Sequence, residues 1–461
     1  MTSDVHPGSF RDPSGFVFTR EGVLYRQVDS SFADHYDHLM ASGLYGTLVE
    51  EGLLLPHEEI DVAHAAADGA HRVLRPQLVP FVSYPYEWCF GQLKDAALAT
   101  LRIQHRALEH GMSLRDASAY NIQFVDGRPV LIDTLSFERL SEGRPWVAYR
   151  QFCQHFLAPL ALMSYRDVRL GQLARVHMDG VPLDLAAELL PRRARLRIPV
   201  LLHLFLHARS QSRHQADPAA VASRRAHPFP LRAFQGLVES LERGVRRMAW
   251  DPARTPWARY YSEADSYSPD ALAHKQRVVE AYLDEGRPSS VWDLGANTGV
   301  FSGLAARRGA RVVAFDADPG AVELHYRAVV RDGEKQVLPL LVDLTNPSPA
   351  IGWANRERAS LLDRGPADMA LALALVHHVA IGNNVPLDRL AGFLAETCTL
   401  LAIEFVPKTD PKVQLLLASR EDVFPDYSVE GFEKAFTGKF SILRRDTLPG
   451  SDRVLYLMRT S

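Results

Sequence analysis

The spacing of apolar and polar residues changes character along this chain. From about residue 285 onward, short apolar runs alternate with stretches at helical spacing. Val291 and Trp292 read as the end of a first strand, and Val300–Arg308 as a helix closed by Gly309. Further strands are predicted at Arg311–Asp316, Gln336–Leu341, Met369–Leu375 and Thr399–Phe405. A final pair is predicted at about 442–447 and 454–458, joined by Pro449-Gly450. Strands that alternate with helices predict an α/β fold with a largely parallel sheet. Upstream, Leu231, Phe234, Leu237, Leu241 and Val245 line one face of a predicted helix over Leu231–Met248. Lys94–His110 reads as an earlier helix, and Leu78–Tyr86 as a strand before it. No apolar run reaches the roughly 18 residues of a membrane span. The richest, Ile198–Leu206, is short and contains His203.

Composition narrows the class without naming a chemistry. The chain has 461 residues, 47% hydrophobic and 23% charged, which fits folded domains rather than disorder. Its three cysteines, Cys89, Cys153 and Cys398, are far apart and form no CxxC pair. A disulfide framework and a cysteine-rich zinc module are thereby excluded, and a reducing compartment is expected. The net charge of −3 gives no chain-wide affinity for polyanions. That total conceals a zone over residues 191–260 that is rich in arginine and has no lysine. Within it, the polar stretch Gln211–Pro230 reads as a loop. No aromatic residues interleave with the arginines in the way a nucleic-acid surface requires, so a solvated basic helical connector is expected. The start, Met1–Gly15, is polar and lacks the basic-then-apolar order of a signal peptide, so a cytoplasmic location with no membrane partner is expected.

The most informative run is Ser290-Val-Trp-Asp-Leu-Gly-Ala-Asn-Thr-Gly-Val-Phe-Ser302. Asp293, Gly295, Asn297 and Gly299 form a turn between strand and helix. Its glycines let the backbone bend tightly and approach a ligand, and the following helix start offers N–H groups to an anion. Asp316 closes the next strand, where a carboxylate suits two ribose hydroxyls. Asp343 follows the third strand, where it can meet an adenine ring. With the terminal strand pair, this set resembles the class I S-adenosyl-L-methionine-dependent methyltransferases over about residues 285–461. The resemblance implies a Rossmann-like seven-stranded domain over 261–461 and S-adenosyl-L-methionine as cofactor, with no metal. It assigns Gly295, Asn297 and Gly299 to the methionine part of the cofactor. It gives Asp293 the support of that loop and of the methionyl amine, Asp316 the ribose and Asp343 the adenine. The sequence lacks the second helix-packing glycine of the dinucleotide fingerprint, because Phe301 and Ser302 follow Gly299.

Methyl transfer needs an aligned nucleophile, and a hydroxyl acceptor also benefits from a base. His377 and His378 follow the fourth strand and Glu404 lies near the end of the fifth, so these three are the catalytic candidates. The fourth strand does not end in Asn/Asp-Pro-Pro-aromatic, which favours a small-molecule or peptide acceptor over a nucleic-acid base. The aromatic segment with Trp257, Tyr260, Tyr261 and Tyr267, ahead of Lys275, is a candidate lid over the cofactor.

Residues 1–190 are expected to form an α+β accessory domain. Ser113-Leu-Arg-Asp116-Ala-Ser-Ala-Tyr-Asn121, followed by Arg128-Pro-Val-Leu-Ile-Asp133, resembles the catalytic loop and metal-binding strand of protein kinases and aminoglycoside-type phosphotransferases. The resemblance implies Asp116 as acceptor of a hydroxyl proton and Asn121 and Asp133 as magnesium ligands. No glycine-rich loop precedes the run, no lysine occurs before Lys94, and Thr134-Leu135 stands where Phe-Gly is usual. A degenerate kinase-like domain is expected. The alternative is a bifunctional enzyme whose first domain is an ATP/Mg-dependent phosphotransferase.

Overall fold

The change of period along the chain corresponds to two structural units. The computed structural model describes residues 4–206, 229–255, 269–418 and 420–461. Trp257, Tyr260, Tyr261 and Tyr267 of the expected lid, and Arg209, Arg213, Arg224 and Arg225 of the basic zone, lie outside the described residues. The first unit comprises Met1–Trp250 together with Ile351–Arg358. The second comprises Asp251–Ala350 and Ala359–Ser461.

In the first unit, β1 (Asp4–Val5), β2 (Gly15–Arg20), β3 (Val23–Asp29), β4 (His57–Ile60) and β5 (Ala70–Pro76) form an antiparallel sheet in the order β1-β2-β3-β5-β4. Val28 and Leu74 are buried on one face of this sheet, and Phe18 and Val73 on the other. Helix α1 (Phe90–Glu109) follows, then β6 (Met112–Leu114) paired with β9 (Phe137–Arg139). The hairpin of β7 (Ile122–Val125) and β8 (Arg128–Leu131) turns through Asp126 and Gly127, both with positive φ.

Two expectations for this unit are corrected. The segment 78–86 is not a strand, and β5 ends at Pro76 before it. Pro80 and Pro85 have no N–H to give a ladder, and the Ser83 N–H bonds the side chain of Gln123 instead (2.8 Å). Helix α2 (Leu231–Arg247) is part of the first unit rather than a solvated connector over 191–260. It packs on α1, and its Phe234, Val238, Leu241 and Val245 are buried, while Leu231 at its first turn is exposed. Lys94 of α1 donates to the carbonyls of Arg246 (3.0 Å) and Met248 (2.8 Å), which fixes the end of α2.

The second unit begins with α3 (Pro269–Gly286) and is built on β10 (Ser290–Leu294), β11 (Arg311–Asp316), β12 (Val337–Leu341), β13 (Ala367–Ala372), β14 (Cys398–Phe405), β15 (Phe440–Thr447) and β16 (Val454–Thr460). The sheet order is β12-β11-β10-β13-β14-β16-β15. Its first five strands are parallel, and β16 is antiparallel to both of its neighbours. This is a Rossmann-like α/β unit with an antiparallel tail. Valines, alanines and leucines of the central strands β10, β11 and β13 are buried, as central parallel strands require. The strand order reverses between β10 and β13, and ligands of such sheets bind beyond the carboxyl ends at that point. The fourth strand stops at Ala372, not Leu375. Ala374 takes φ +53, which breaks the extended run, and His378–Gly382 forms a wide helical turn.

Candidate functional site

The carboxyl end of β10 bends into a turn that only part of the alphabet can make. Gly295 (φ +79), Asn297 (φ +50) and Gly299 (φ +84) all occupy the left-handed region. A Cβ at Gly299 would lie 2.0 Å from Nε2 of His325, so this glycine answers to close packing as well as to its φ. The turn is tied to β11 because the Gly295 and Ala296 N–H groups both donate to the Phe315 carbonyl (2.8 and 2.9 Å). Helix α4 (Val300–Ala306) starts directly after it.

Two carboxylates frame the turn. Asp316 accepts the Asn297 N–H on Oδ2 (2.8 Å) and the Asp318 N–H on Oδ1 (2.8 Å). Asp293 is buried and accepts from the Ser302 hydroxyl (2.6 Å), so it ties strand β10 to helix α4 beneath the turn. Burial pushes the pKa of both carboxyls up to about 6. Their hydrogen bonds oppose that rise, and for Asp293 the charge of Asp316 adds to it. Asp343, two residues beyond β12, is exposed and accepts from the Thr345 N–H (2.8 Å) and hydroxyl (2.7 Å). The Val342 N–H donates to the Asp316 carbonyl (2.9 Å), which links the ends of β11 and β12.

The three catalytic candidates occupy different surroundings. The rings of His377 and His378 lie 4.1 Å apart between centroids. His377 is 2% exposed, and its Nδ1 has no hydrogen-bond partner among the described residues. Burial, then the charges of His378, Arg453 and Lys275, hold its pKa well below the usual imidazole value. Burial lowers that of His378 as well. His377 is therefore a neutral imidazole at neutral pH, with a buried nitrogen that no described residue bonds.

Glu404, fully buried on β14, meets two cations. Lys275 of α3 donates to Oε2 (2.6 Å), and Arg453 lies 3.5 Å from Oε1 and donates through Nε to Asp410 (2.7 Å). Lys275 is itself 1% exposed and sits 5.0 Å from the Phe301 ring centroid. Desolvation lowers its pKa against the opposing pull of Glu404. This quartet is the part that sequence reading missed. One signal was legible: Lys275 lies three residues after Leu272 and four before Val279, on the buried stripe of α3.

In the first unit, Asp116, Asn121 and Asp133 do meet. Asp116 accepts from the Ser118 N–H and the Gln151 amide (2.8 Å each). Burial and the charge of Asp133 raise its pKa. The Asn121 amide donates to the Ser136 hydroxyl (3.2 Å), which donates to Asp133 Oδ2 (2.8 Å). Asp133 Oδ1 carries an ion pair to Arg26 of β3 (2.7 Å) and accepts the Leu135 N–H (3.1 Å). A guanidinium thus stands against the carboxylate that the kinase resemblance assigns to metal. Among the described residues, no group of three or more His, Cys, Asp or Glu side chains is arranged to hold a metal ion.

The chain is similar to the nodulation protein NoeA of Rhizobium meliloti (strain 1021), with 36% identity over 458 residues that cover 98% of this chain and 96% of NoeA. No family model matches it. Among solved structures, it aligns with the N-methyltransferase NodS from Bradyrhizobium japonicum WM9 at 12% identity and a TM-score of 0.33, over 42% of this chain and 98% of NodS. It also aligns with the magnesium protoporphyrin IX methyltransferase ChlM from Synechocystis PCC 6803 with bound SAH, at 19% identity and a TM-score of 0.32, over 44% of this chain and 93% of ChlM.

Proposed function

The chain belongs to the family of the nodulation protein NoeA, and for this member we propose S-adenosyl-L-methionine-dependent methyl transfer by the second unit, onto a small-molecule or peptide acceptor. The observation that carries the reading is the turn at the sheet's switch point. Three left-handed residues, Gly295, Asn297 and Gly299, are braced between Asp293 and Asp316 at the carboxyl ends of β10 and β11.

The residues fit the cofactor part by part. Backbone of the turn takes the methionine portion, because glycine there leaves room for close approach. Asp316 has lone pairs left for ribose hydroxyls after its two backbone bonds. Asp343, exposed at the end of β12, takes the adenine. Asp293 supports the loop through Ser302. When bound, the cofactor supplies an electrophilic methyl group whose bond to sulfur breaks as the bond to the acceptor forms, leaving S-adenosylhomocysteine. His377 is the base: its neutral Nδ1, buried and without a hydrogen-bond partner among the described residues, takes the proton of an acceptor seated against it. Glu404 holds Lys275 and Arg453 in place and carries no proton of the reaction. Calorimetric titration of the full chain with S-adenosylhomocysteine tests the reading. Binding with one site per chain supports it, and no heat at millimolar ligand overturns it.

For the first unit, we infer that Asp116, Asn121 and Asp133 form a structural cluster and not a phosphotransfer site. Arg26 supplies the positive charge that Asp133 needs, and Ser136 joins Asp133 to Asn121. With Asp133 already paired to a cation, the residues fit a structural hydrogen-bond network better than a magnesium site.

A further inference from the structure

The first unit contains an open cleft of about 610 Å³, within the size range of small-ligand sites. One wall is the turn His177–Gly180, and the other is Gly352, Trp353 and Ala354 of the loop 352–357. The ends of that loop are pinned together, because the Ile351 and Arg358 backbones pair with each other. Between them, Gly352 (φ +87), Ala354 (φ +54) and Asn355 (φ +55) all have positive φ.

Asparagine tolerates such an angle, but alanine adopts it only when its surroundings impose it. Here the brace is Glu357, which is buried, accepts the Trp353 N–H (2.7 Å) and is held by both Nε and Nη2 of Arg11 (2.5 and 2.9 Å). The loop so held presents Trp353 to solvent at 74% exposure. An indole kept on the outside by a strained, ion-paired loop is a platform in search of a flat partner.

The remaining lining selects that partner. The side chains of Gln154, His177 and Asp179 line the cleft and have no hydrogen-bond partner among the described residues. Arg11 stands beside them with its charge committed to Glu357 and drawn further by Asp179. Arg11 against Glu357 and Asp179 leaves no excess positive charge to hold a phosphate or a nucleic acid. One ring does not make the aromatic cage that an alkylammonium needs. An aromatic face beside an amide, a carboxylate and a guanidinium matches a ring with an apolar face and a rim of hydroxyls that both donate and accept. We propose that this cleft binds a neutral saccharide, with one sugar ring stacked on Trp353 and its hydroxyls bonded by Asp179, Gln154 and Arg11. The cleft belongs to the first unit alone, so saccharide binding there does not depend on methyl transfer by the second.

The test is saturation-transfer NMR and calorimetry on the full chain. The probes are neutral tetrasaccharides of α-1,4-linked glucose, β-1,4-linked glucose and β-1,4-linked N-acetylglucosamine. At least one should bind, with transfer to the protons of one sugar face. Trp353→Ala should weaken that binding about tenfold or more, Asp179→Asn about threefold or more, and Trp353→Phe should restore most of the loss. Trp353 and Asp179 are both exposed, so all three variants should melt with the parent chain. No binding of any probe at about 5 mM overturns the proposal. So does binding that Trp353→Ala leaves unchanged, or tetramethylammonium binding more tightly at Trp353 than every sugar.

Discussion

Both units gather carboxylates next to a strand end, yet they leave them in opposite conditions. In the first unit, Asp133 is bonded to Arg26, Ser136 and the Leu135 N–H, while Asp116 takes Ser118 and Gln151. In the second, Asp316 accepts one N–H from the turn it braces and one from Asp318, and His377 keeps a buried nitrogen with no partner among the described residues. A buried polar atom left open is costly to fold around. Arg26 Nε of the first cluster is likewise buried without a partner among the described residues, so the contrast lies in the carboxylates: Asp133 faces a cation, whereas Asp316 faces only backbone N–H groups. The difference teaches that convergence of the expected residue types is weak evidence of a site. What their remaining valences face is stronger evidence.

The largest effect that sharpens this contrast is expected at Glu404. Glu404→Gln removes the anion beside Lys275 and leaves that buried cation uncompensated, while Arg453 keeps Asp410, at a cost of about 3–5 kcal/mol. Guanidinium unfolding followed by Trp292 fluorescence in a chain with its other tryptophans replaced should show the loss in the second unit. A change near zero would mean the quartet is not dry.

Next comes His377. His377→Gln should lower kcat/KM about 10²- to 10³-fold with S-adenosylhomocysteine affinity unchanged. The sign of the pH dependence follows from burial. A base must be neutral, and a pKa held well below 6.5 keeps His377 neutral until the solution is clearly acidic. The rate should therefore be flat from about pH 6.5 to 8 on the base's account. A rise through an apparent pKa near 7 would assign the base elsewhere.

A smaller effect is expected at Asp133. Asp133→Asn breaks a partly buried ion pair and should cost about 1–2 kcal/mol of stability in the first unit. The parent chain should show no magnesium-dependent ATP binding. If it does bind, and Asp133→Asn abolishes this, the closed reading of the cluster fails.

The smallest effect is at Asp316. Asp316→Ala should weaken S-adenosylhomocysteine about tenfold, or ~1.4 kcal/mol, and more than His378→Ala does. The opposite ranking breaks the cofactor map. Because burial raises the Asp293 and Asp316 carboxyls to about 6, both are ionised above that pH and protonate below it. Affinity should thus hold above pH 7 and fall as pH drops through about 6.

Much of the second unit is legible in the sequence because its signals are local. The glycine turn depends on which residues tolerate positive φ, and β11 follows from a short apolar run that ends in a carboxylate. The end of β13 is hidden, because Leu373, Leu375 and Val376 prolong an apolar run past Ala374, where the backbone turns. In the first unit, the apolar spacing of 231–248 locates α2, but not the neighbour it packs against. That neighbour is α1, and the charge-rich composition of the zone conceals the contact.

The sequence by itself determined the strand–turn–helix at 290–306, the carboxylates after successive strands and the histidine pair, since each is fixed by residues a few positions apart. Only the tertiary structure decided which buried charges meet. Lys275 reaches Glu404 across 129 positions, Arg453 reaches the same carboxylate across 49, and Arg11 reaches Glu357 across 346. Such pairings leave no period in the sequence. They are chosen when desolvation makes an unpaired charge intolerable and packing supplies the partner within reach.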